Sequence, residues 1–183
     1  MASWALVLPD FEIRHWNDDN GPISRRFFRE GRRHNPVNAS DYIRYWALHE
    51  FGGIYLDNDV EVLRPFDMTR QAFLGFQRSD TPDNCINTAV LGAEAGHPFI
   101  ARCLERLDNF VGEIWPVWTS CGLPTEELGL NKDAALLNIE HEAKGVTVYS
   151  KERFYPWWHD EAPNMGRVTE RTFAIHHWAR SWA

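Results

Sequence analysis

The residues that most invite a chemical reading lie together in Gly52-Gly53-Ile54-Tyr55-Leu56-Asp57-Asn58-Asp59-Val60-Glu61. In an extended chain, alternate side chains share a face. Tyr55, Asp57, Asp59 and Glu61 then point one way, and Ile54, Leu56 and Val60 point toward a core. Carboxylates crowded on one face repel, so a cation is expected between them. Hard divalent ions take oxygen ligands, and Mg²⁺ typically uses one or two carboxylates and fills its shell with water and substrate phosphates. A strand-end Asp-x-Asp therefore reads as a place where Mn²⁺ or Mg²⁺ bridges the protein to a diphosphate. The competing reading is a solvated acidic turn. A calcium loop of the EF-hand type fails: Val62 stands where its glycine is required, and Met68 where its last glutamate is required.

These carboxylates need a frame. Ser40 is a good helix N-cap, Asp41 suits the positive helix start, and Gly52-Gly53 is a stop signal. The helix between them is expected to bury Ile43, Trp46, Ala47 and Phe51. Asp41 and Arg44 are three apart, on one helical face. They form either a surface ion pair of small worth or a pair from which Arg44 forks onto Asp57, a phosphate or sugar hydroxyls. Residues 10–17 read as a short strand, Asp18 to Pro22 as a turn, and 23–33 as a basic helix or irregular turn. The arginines there (Arg25, Arg26, Arg29, Arg32, Arg33) form a solvated face or meet an anionic acceptor or membrane surface. Strands are expected at 54–57, 72–76, 85–92, 146–149 and 173–176, and helices at 98–111 and 133–141. That alternation indicates an α/β fold, in one domain over residues 1–183.

The rest of the composition narrows the field. The chain has 183 residues and a formal net charge of −7, which argues against a nucleic-acid partner. Hydrophobic residues make up 44%, enough for a core. No run of eighteen apolar residues predicts a membrane span. The apolar start, Trp4 to Leu8, is too short for a secretion signal. Cys85, Cys103 and Cys121 are odd in number and far apart, so a reducing, cytoplasmic setting is expected. Of the nine tryptophans, most are expected in the core, the remainder offering aromatic faces to a sugar ring.

Taken in order, these segments resemble a known family. Ser40-Asp41-x-x-Arg44 followed by Gly52-Gly53-Ile54-Tyr55-Leu56-Asp57-x-Asp59-Val60 looks like the DXD sugar-binding region of family 32 glycosyltransferases. That group includes bacterial capsular polysaccharide enzymes and yeast mannosyltransferases. Downstream, the resemblance continues through Cys85-Ile86-Asn87-Thr88-Ala89, Gly96-His97-Pro98-Phe99 and Phe154-Tyr155-Pro156. It closes with Ala174-Ile175-His176-His177-Trp178 and Ser181-Trp182. It implies a GT-A fold: a nucleotide-sugar-binding α/β/α domain built on a single mixed sheet flanked by helices. By the resemblance, Asp57 and Asp59 hold Mn²⁺ or Mg²⁺ against a UDP- or GDP-sugar, Asp59 directly, with His177 or His176 as a further ligand. Asp41, Arg44, Tyr55 and Asn87 surround the donor sugar; Ser181 reaches metal or phosphate, and Trp182 covers the donor. The implied reaction is retaining transfer of a hexose to a glycan or lipid-linked acceptor; peripheral contact at the inner membrane face is the expectation that goes with the arginines of 25–33.

The chain departs from that pattern in two places. Family members begin with a Pro-x-x-Ile-His-x-x-Trp strand, for which no counterpart precedes Ser3-Trp4. Three readings of this gap compete: a start assigned too late, a truncated sheet that rearranges or whose gap a second copy fills as a homodimer, or an inactive relative that binds sugar nucleotide and metal. Ser120-Cys121-Gly122-Leu123-Pro124 stands where the family tends to have Thr-Gly-Pro. Among rival enzymes, a phosphatase of the HAD type shares a hydrophobic strand ending in Asp-x-Asp, but its acidic Gly-Asp pair is missing. Phosphate-loop, zincin and Gly-x-Ser-x-Gly signatures are also missing.

Overall fold

The computed structural model describes residues 2–179 apart from 18, 35, 78–85, 111–116 and 131–138. Its centre is a five-stranded mixed sheet. The strands are β1 (Gly53–Leu56), β3 (Ala72–Phe76), β4 (Ile86–Ala93), β5 (His141–Ala143) and β6 (Val146–Tyr149), in the order β1-β4-β3-β6-β5. All neighbours are antiparallel except β3 and β6. A separate two-stranded ribbon pairs β2 (Val60–Val62) with β7 (Ala174–His176), antiparallel, Val60 facing His176.

Alternation along the strands sorts the core into two layers. Leu74, Phe76, Ile86, Leu91, Val146 and Val148 face helices α2 (Arg26–His34), α3 (Pro36–Phe51), α4 (Pro98–Asp108) and α5 (Leu123–Leu128). Phe73, Ala89, Val90 and Tyr149 face the other way, onto α1 (Ala2–Val7), the β2–β7 ribbon and Phe66, Phe154 and Tyr155. The far face is thus shared by a short helix and a ribbon. The close layering leaves no space at Gly92, where a Cβ would sit 2.2 Å from the Phe73 ring. Of the described tryptophans only Trp4 and Trp157 are buried, so the rings are less of a core element than expected.

Several expectations are corrected. Residues 10–17 form no strand: Arg14 pairs with Glu12, Trp16 packs edge-on to Trp46, and Phe11 and Ile13 stay exposed. Helix α3 begins at Pro36, so Ser40 lies inside it and its hydroxyl donates to the Val37 carbonyl instead of capping. Its buried surface is also broader than a stripe. Tyr42, Tyr45 and Leu48 are buried, whereas Phe51 is exposed, because α3 is enclosed on several sides. The helix expected at 133–141 lies mostly outside the described residues, and its last residue, His141, opens β5. Among the arginines of 25–33, Arg25 pairs with Asp108 and Arg26 donates to the Phe110 carbonyl. Among the described residues, no helix is long and apolar enough to cross a membrane.

Candidate metal and sugar-nucleotide site

The turn from α3 into β1 sets the site. Gly52 (φ +65°) and Gly53 (φ +101°) adopt left-handed backbone that other residues rarely accept. The Gly52 N–H caps the helix on the Leu48 carbonyl. β1 then runs back beside α3 and ends at Leu56, and the next residue, Asp57, bonds its N–H to the Ala89 carbonyl of β4. The strand does not continue through 59. Residues 57–59 turn, the Val60 N–H returning to the Asp57 carbonyl, and β2 starts in the second sheet. The expected alternation from Tyr55 to Glu61 is therefore broken, yet the two aspartates still meet.

The third member comes from the far end of the chain. Because β7 pairs with β2, His176 lies opposite Val60, and its Nε2 is 3.2 Å from Asp59 Oδ1. Backbone bonds fix this: the His177 N–H donates to the Asp59 carbonyl, and the Ala179 N–H to Asp59 Oδ2 at 2.8 Å. Burial pushes the Asp59 carboxyl up, but His176 and the Ala179 N–H outweigh it and hold it below the usual carboxylate range. Ligand atoms of Asp57, Asp59 and His176 all lie within 4.8 Å of one another. Two carboxylates and one imidazole on a half-buried rim suit a divalent ion such as Mn²⁺. His177, its neighbour, turns away and pairs with Glu61 at 2.9 Å, outside the cluster. Ser181 and Trp182 lie outside the described residues.

Behind Asp57 stands a buried charge network. Tyr55 donates its hydroxyl to Asp57 Oδ1 at 2.9 Å, and Arg44 reaches the same oxygen at 3.2 Å. Arg44 also contacts Asp41 at 2.7 Å and donates to the Thr88 hydroxyl. The Thr119 hydroxyl donates to Asp41 Oδ2. Burial pushes the Asp41 carboxyl up to about 6, against the pull of Arg44 and Thr119. Burial also works against the Arg44 charge, but Asp41 and Asp57 keep it firmly protonated. Asp41 is fully buried and therefore acts by holding Arg44. Asn87 is similarly occupied: its Oδ1 accepts from the Ala89 N–H at 2.7 Å and its Nδ2 donates to Gln77 Oε1 at 2.7 Å.

Asp41, Arg44, Tyr55, Asp57, Asp59, Asn87 and His176 line one cavity of about 1090 Å³. Trp4, Trp16, Trp158 and Trp178 also line it, Trp178 at 4.1 Å between ring centroids from His176. Gln77, Thr88, Thr119, Ser120, Cys121, Trp158 and Trp178 are the members that sequence reasoning missed. Thr88 and Trp178 lie inside the family-like motifs, and Ser120-Cys121 inside the stretch that departs from Thr-Gly-Pro, so a signal marked them; Gln77, Thr119 and Trp158 carry no local signal and arrive through sheet pairing and distant turns.

Residues 1–74 match the family described as glycosyltransferase sugar-binding region containing DXD motif. The chain is 31% identical over 175 residues to a lactosylceramide 4-alpha-galactosyltransferase of Mus musculus, covering 87% of this chain and 46% of the relative. It is 32% identical over 111 residues to inositol phosphoceramide mannosyltransferase 3 of Schizosaccharomyces pombe, covering 56% of this chain and 30% of the relative. A mannosyl phosphorylinositol ceramide synthase of Saccharomyces cerevisiae is 29% identical over 111 residues, 56% of this chain and 28% of the relative. The chain therefore spans less than half the length of each of these relatives. No solved structure matches it. Asp57 and Asp59 supply the DXD pair of the matched region, so residues 1–74 of the chain carry a glycosyltransferase sugar-binding region of the DXD type.

Proposed function

We propose that the chain binds a nucleotide-sugar donor through a divalent metal and transfers the sugar to a hydroxyl of a glycan or lipid-linked acceptor. The observation that carries this is the convergence of Asp57, Asp59 and His176 at the mouth of a cavity backed by buried Arg44. Asp57, Asp59 and His176 would hold Mn²⁺ or Mg²⁺, with His176 as the neutral imidazole. Such an ion, when bound, neutralises charge that develops on a departing nucleoside diphosphate. Tyr55 and Arg44 hold the Asp57 carboxylate in place, and Arg44, five-donor and permanently charged, faces the cavity where phosphate or sugar oxygens would lie. Trp158 and Trp178 give the mouth an aromatic cover suited to the apolar face of a sugar or base. No protein nucleophile is needed, and transfer proceeds with retention. The relatives' names concern ceramide acceptors, which makes glycolipid acceptors the first to screen. A phosphatase of the HAD type is disfavoured, because no lysine stands among the described residues lining the cavity.

Thermal unfolding with UDP, GDP and their sugars, each with and without Mn²⁺, tests the reading. A ligand that binds only the folded state at about 100 times its Kd stabilises by about 2.7 kcal/mol. The expected result is a raised midpoint that requires both nucleotide and metal and vanishes in Asp59→Asn. A well-folded wild type with no shift, or an Asp59→Asn variant with an undiminished shift, would refute it.

A further inference from the structure

The cavity, at about 1090 Å³, lies just above the usual range of roughly 300–1,000 Å³ for small-ligand pockets. It has room beyond a diphosphate and an ion. Its walls differ in chemistry. Phe11, Ile13 and Phe51 line it and are exposed, giving one apolar, open side. Another wall lies past Arg44, linked to it through Thr88, whose hydroxyl accepts from Arg44 and donates to the Ser120 carbonyl at 2.9 Å. Gln77, Asn87, Ser120 and Cys121 form this wall; Gln77, Asn87 and Cys121 are only 3%, 7% and 6% exposed.

This wall offers two amides, a hydroxyl and a thiol, and no formal charge. A diphosphate needs cationic partners, which this wall lacks, and its polar lining gives an acyl chain no apolar bed. A neutral, polyhydroxylated ring matches. The wall is also rigid. The amide pair of Asn87 and Gln77 is locked to the backbone of β4, and Gln77 Nε2 donates to Cys121 Sγ at 3.3 Å. Ser120 and Cys121 sit on a wide π-type turn, Trp118–Gly122, in which the Leu123 N–H reaches back to the Trp118 carbonyl. Such turns recur at functional sites. This one is tied down on four sides. The Thr119 hydroxyl meets Asp41, the Tyr45 hydroxyl meets the Thr119 carbonyl, Thr88 meets the Ser120 carbonyl, and Thr125 meets the Cys121 carbonyl. A turn of unusual width held this firmly fixes where Cys121 stands.

We infer that the neutral wall of Gln77, Ser120 and Cys121 seats the transferred sugar, and that Cys121, held by Gln77, sets which hexose fits. The inference rests on the donor-binding reading above and adds a specificity role to residues outside the metal cluster. Fixed neutral groups discriminate sugars by leaving a buried partner unpaired when a hydroxyl is absent or inverted.

Titration calorimetry with Mn²⁺ on the whole chain separates this from the donor-binding reading. The probes are UDP, UDP-glucose, UDP-galactose, GDP and GDP-mannose. Wild type is expected to bind one nucleotide sugar distinctly better than its bare diphosphate and than the other sugars. Cys121→Leu, which adds bulk to the wall, should erase that preference by about tenfold or more, with bare diphosphate affinity kept within about twofold. Gln77→Ala, which unties both Asn87 and Cys121, should relax the choice between epimers. Cys121→Ser should retain the preference. Unchanged diphosphate affinity is the internal proof that each variant is folded. If the sugar preference survives Cys121→Leu and Gln77→Ala, or falls in step with diphosphate affinity, the sugar seat is wrong while donor binding stands. A wild type without sugar preference also overturns the seat, and one that binds no nucleotide with Mn²⁺ overturns both readings.

Discussion

Removing the Arg44 guanidinium should extend a pH dependence of stability above about pH 6, where the wild-type contribution of Asp41 is flat. Arg44 and Asp41 have side chains only 4% and 1% exposed and lie 2.7 Å apart. In the wild type the Asp41 carboxyl is already pushed up to about 6 by burial, from an ordinary 3.8. A folded value raised above the unfolded one contributes stability below the unfolded value and loses it as pH rises through the folded value. Asp41 therefore makes the wild-type fold less stable between about pH 4 and about pH 6, by about 3 kcal/mol in all at 1.36 kcal/mol per unit. Above about pH 6 its contribution is flat. In Arg44→Met the carboxyl has lost its cation, so its folded value rises further and the loss continues as pH rises. At about pH 7.5, that adds roughly 2 kcal/mol beyond any loss seen at about pH 5. The total at neutral pH should approach the roughly 3–5 kcal/mol typical of breaking a buried pair. Urea unfolding followed by tryptophan fluorescence, in EDTA, at about pH 5, 6 and 7.5 gives the comparison. Asp41→Asn/Arg44→Met should lose the extra slope. Parallel pH curves for wild type and Arg44→Met, or a slope that persists in the double variant, would show that the pair is not the buried charge couple described.

Two further outcomes follow from the same geometry. His176→Ala should weaken Mn²⁺ binding by about tenfold or more, whereas His177→Ala, which removes only the partner of exposed Glu61, should leave it within about twofold; Mn²⁺ electron paramagnetic resonance titration reads both. Gly53→Ala should destabilise by about 1–3 kcal/mol through backbone strain alone, since φ is +101° and nothing lies within 4 Å of the added Cβ; a loss below about 0.5 kcal/mol by urea unfolding would contradict the left-handed turn.

Much of the frame was legible because it is written locally. The apolar runs at 72–76 and 146–149 and the glycine stop at 52–53 each carry their own periodicity or turn chemistry, and each became an element. What failed was decided at a distance. Residues 10–17 have strand composition but no ladder partner among the described residues. Ser40 looked like a cap, but Pro36 opens the helix four residues earlier and leaves its hydroxyl to bond the backbone of its own helix.

The aspartates show the same division. Sequence pattern placed Asp57 and Asp59 on one face of a single strand, and the chain instead breaks between them and changes sheet. They remain together because the break is a tight turn, closed by the Val60 N–H on the Asp57 carbonyl. The break also adds the third ligand. A strand continuing in the main sheet would have kept residue 60 away from β7, whereas the ribbon pairs Val60 directly with His176. Choosing between His176 and His177 therefore depends on register: opposite faces of one strand send one imidazole to Asp59 and the other to Glu61. A one-residue slip of β7 would exchange them. The two bonds from the 177 and 179 N–H groups to Asp59 oppose that slip by fixing β7 to the residue whose carboxylate it must face.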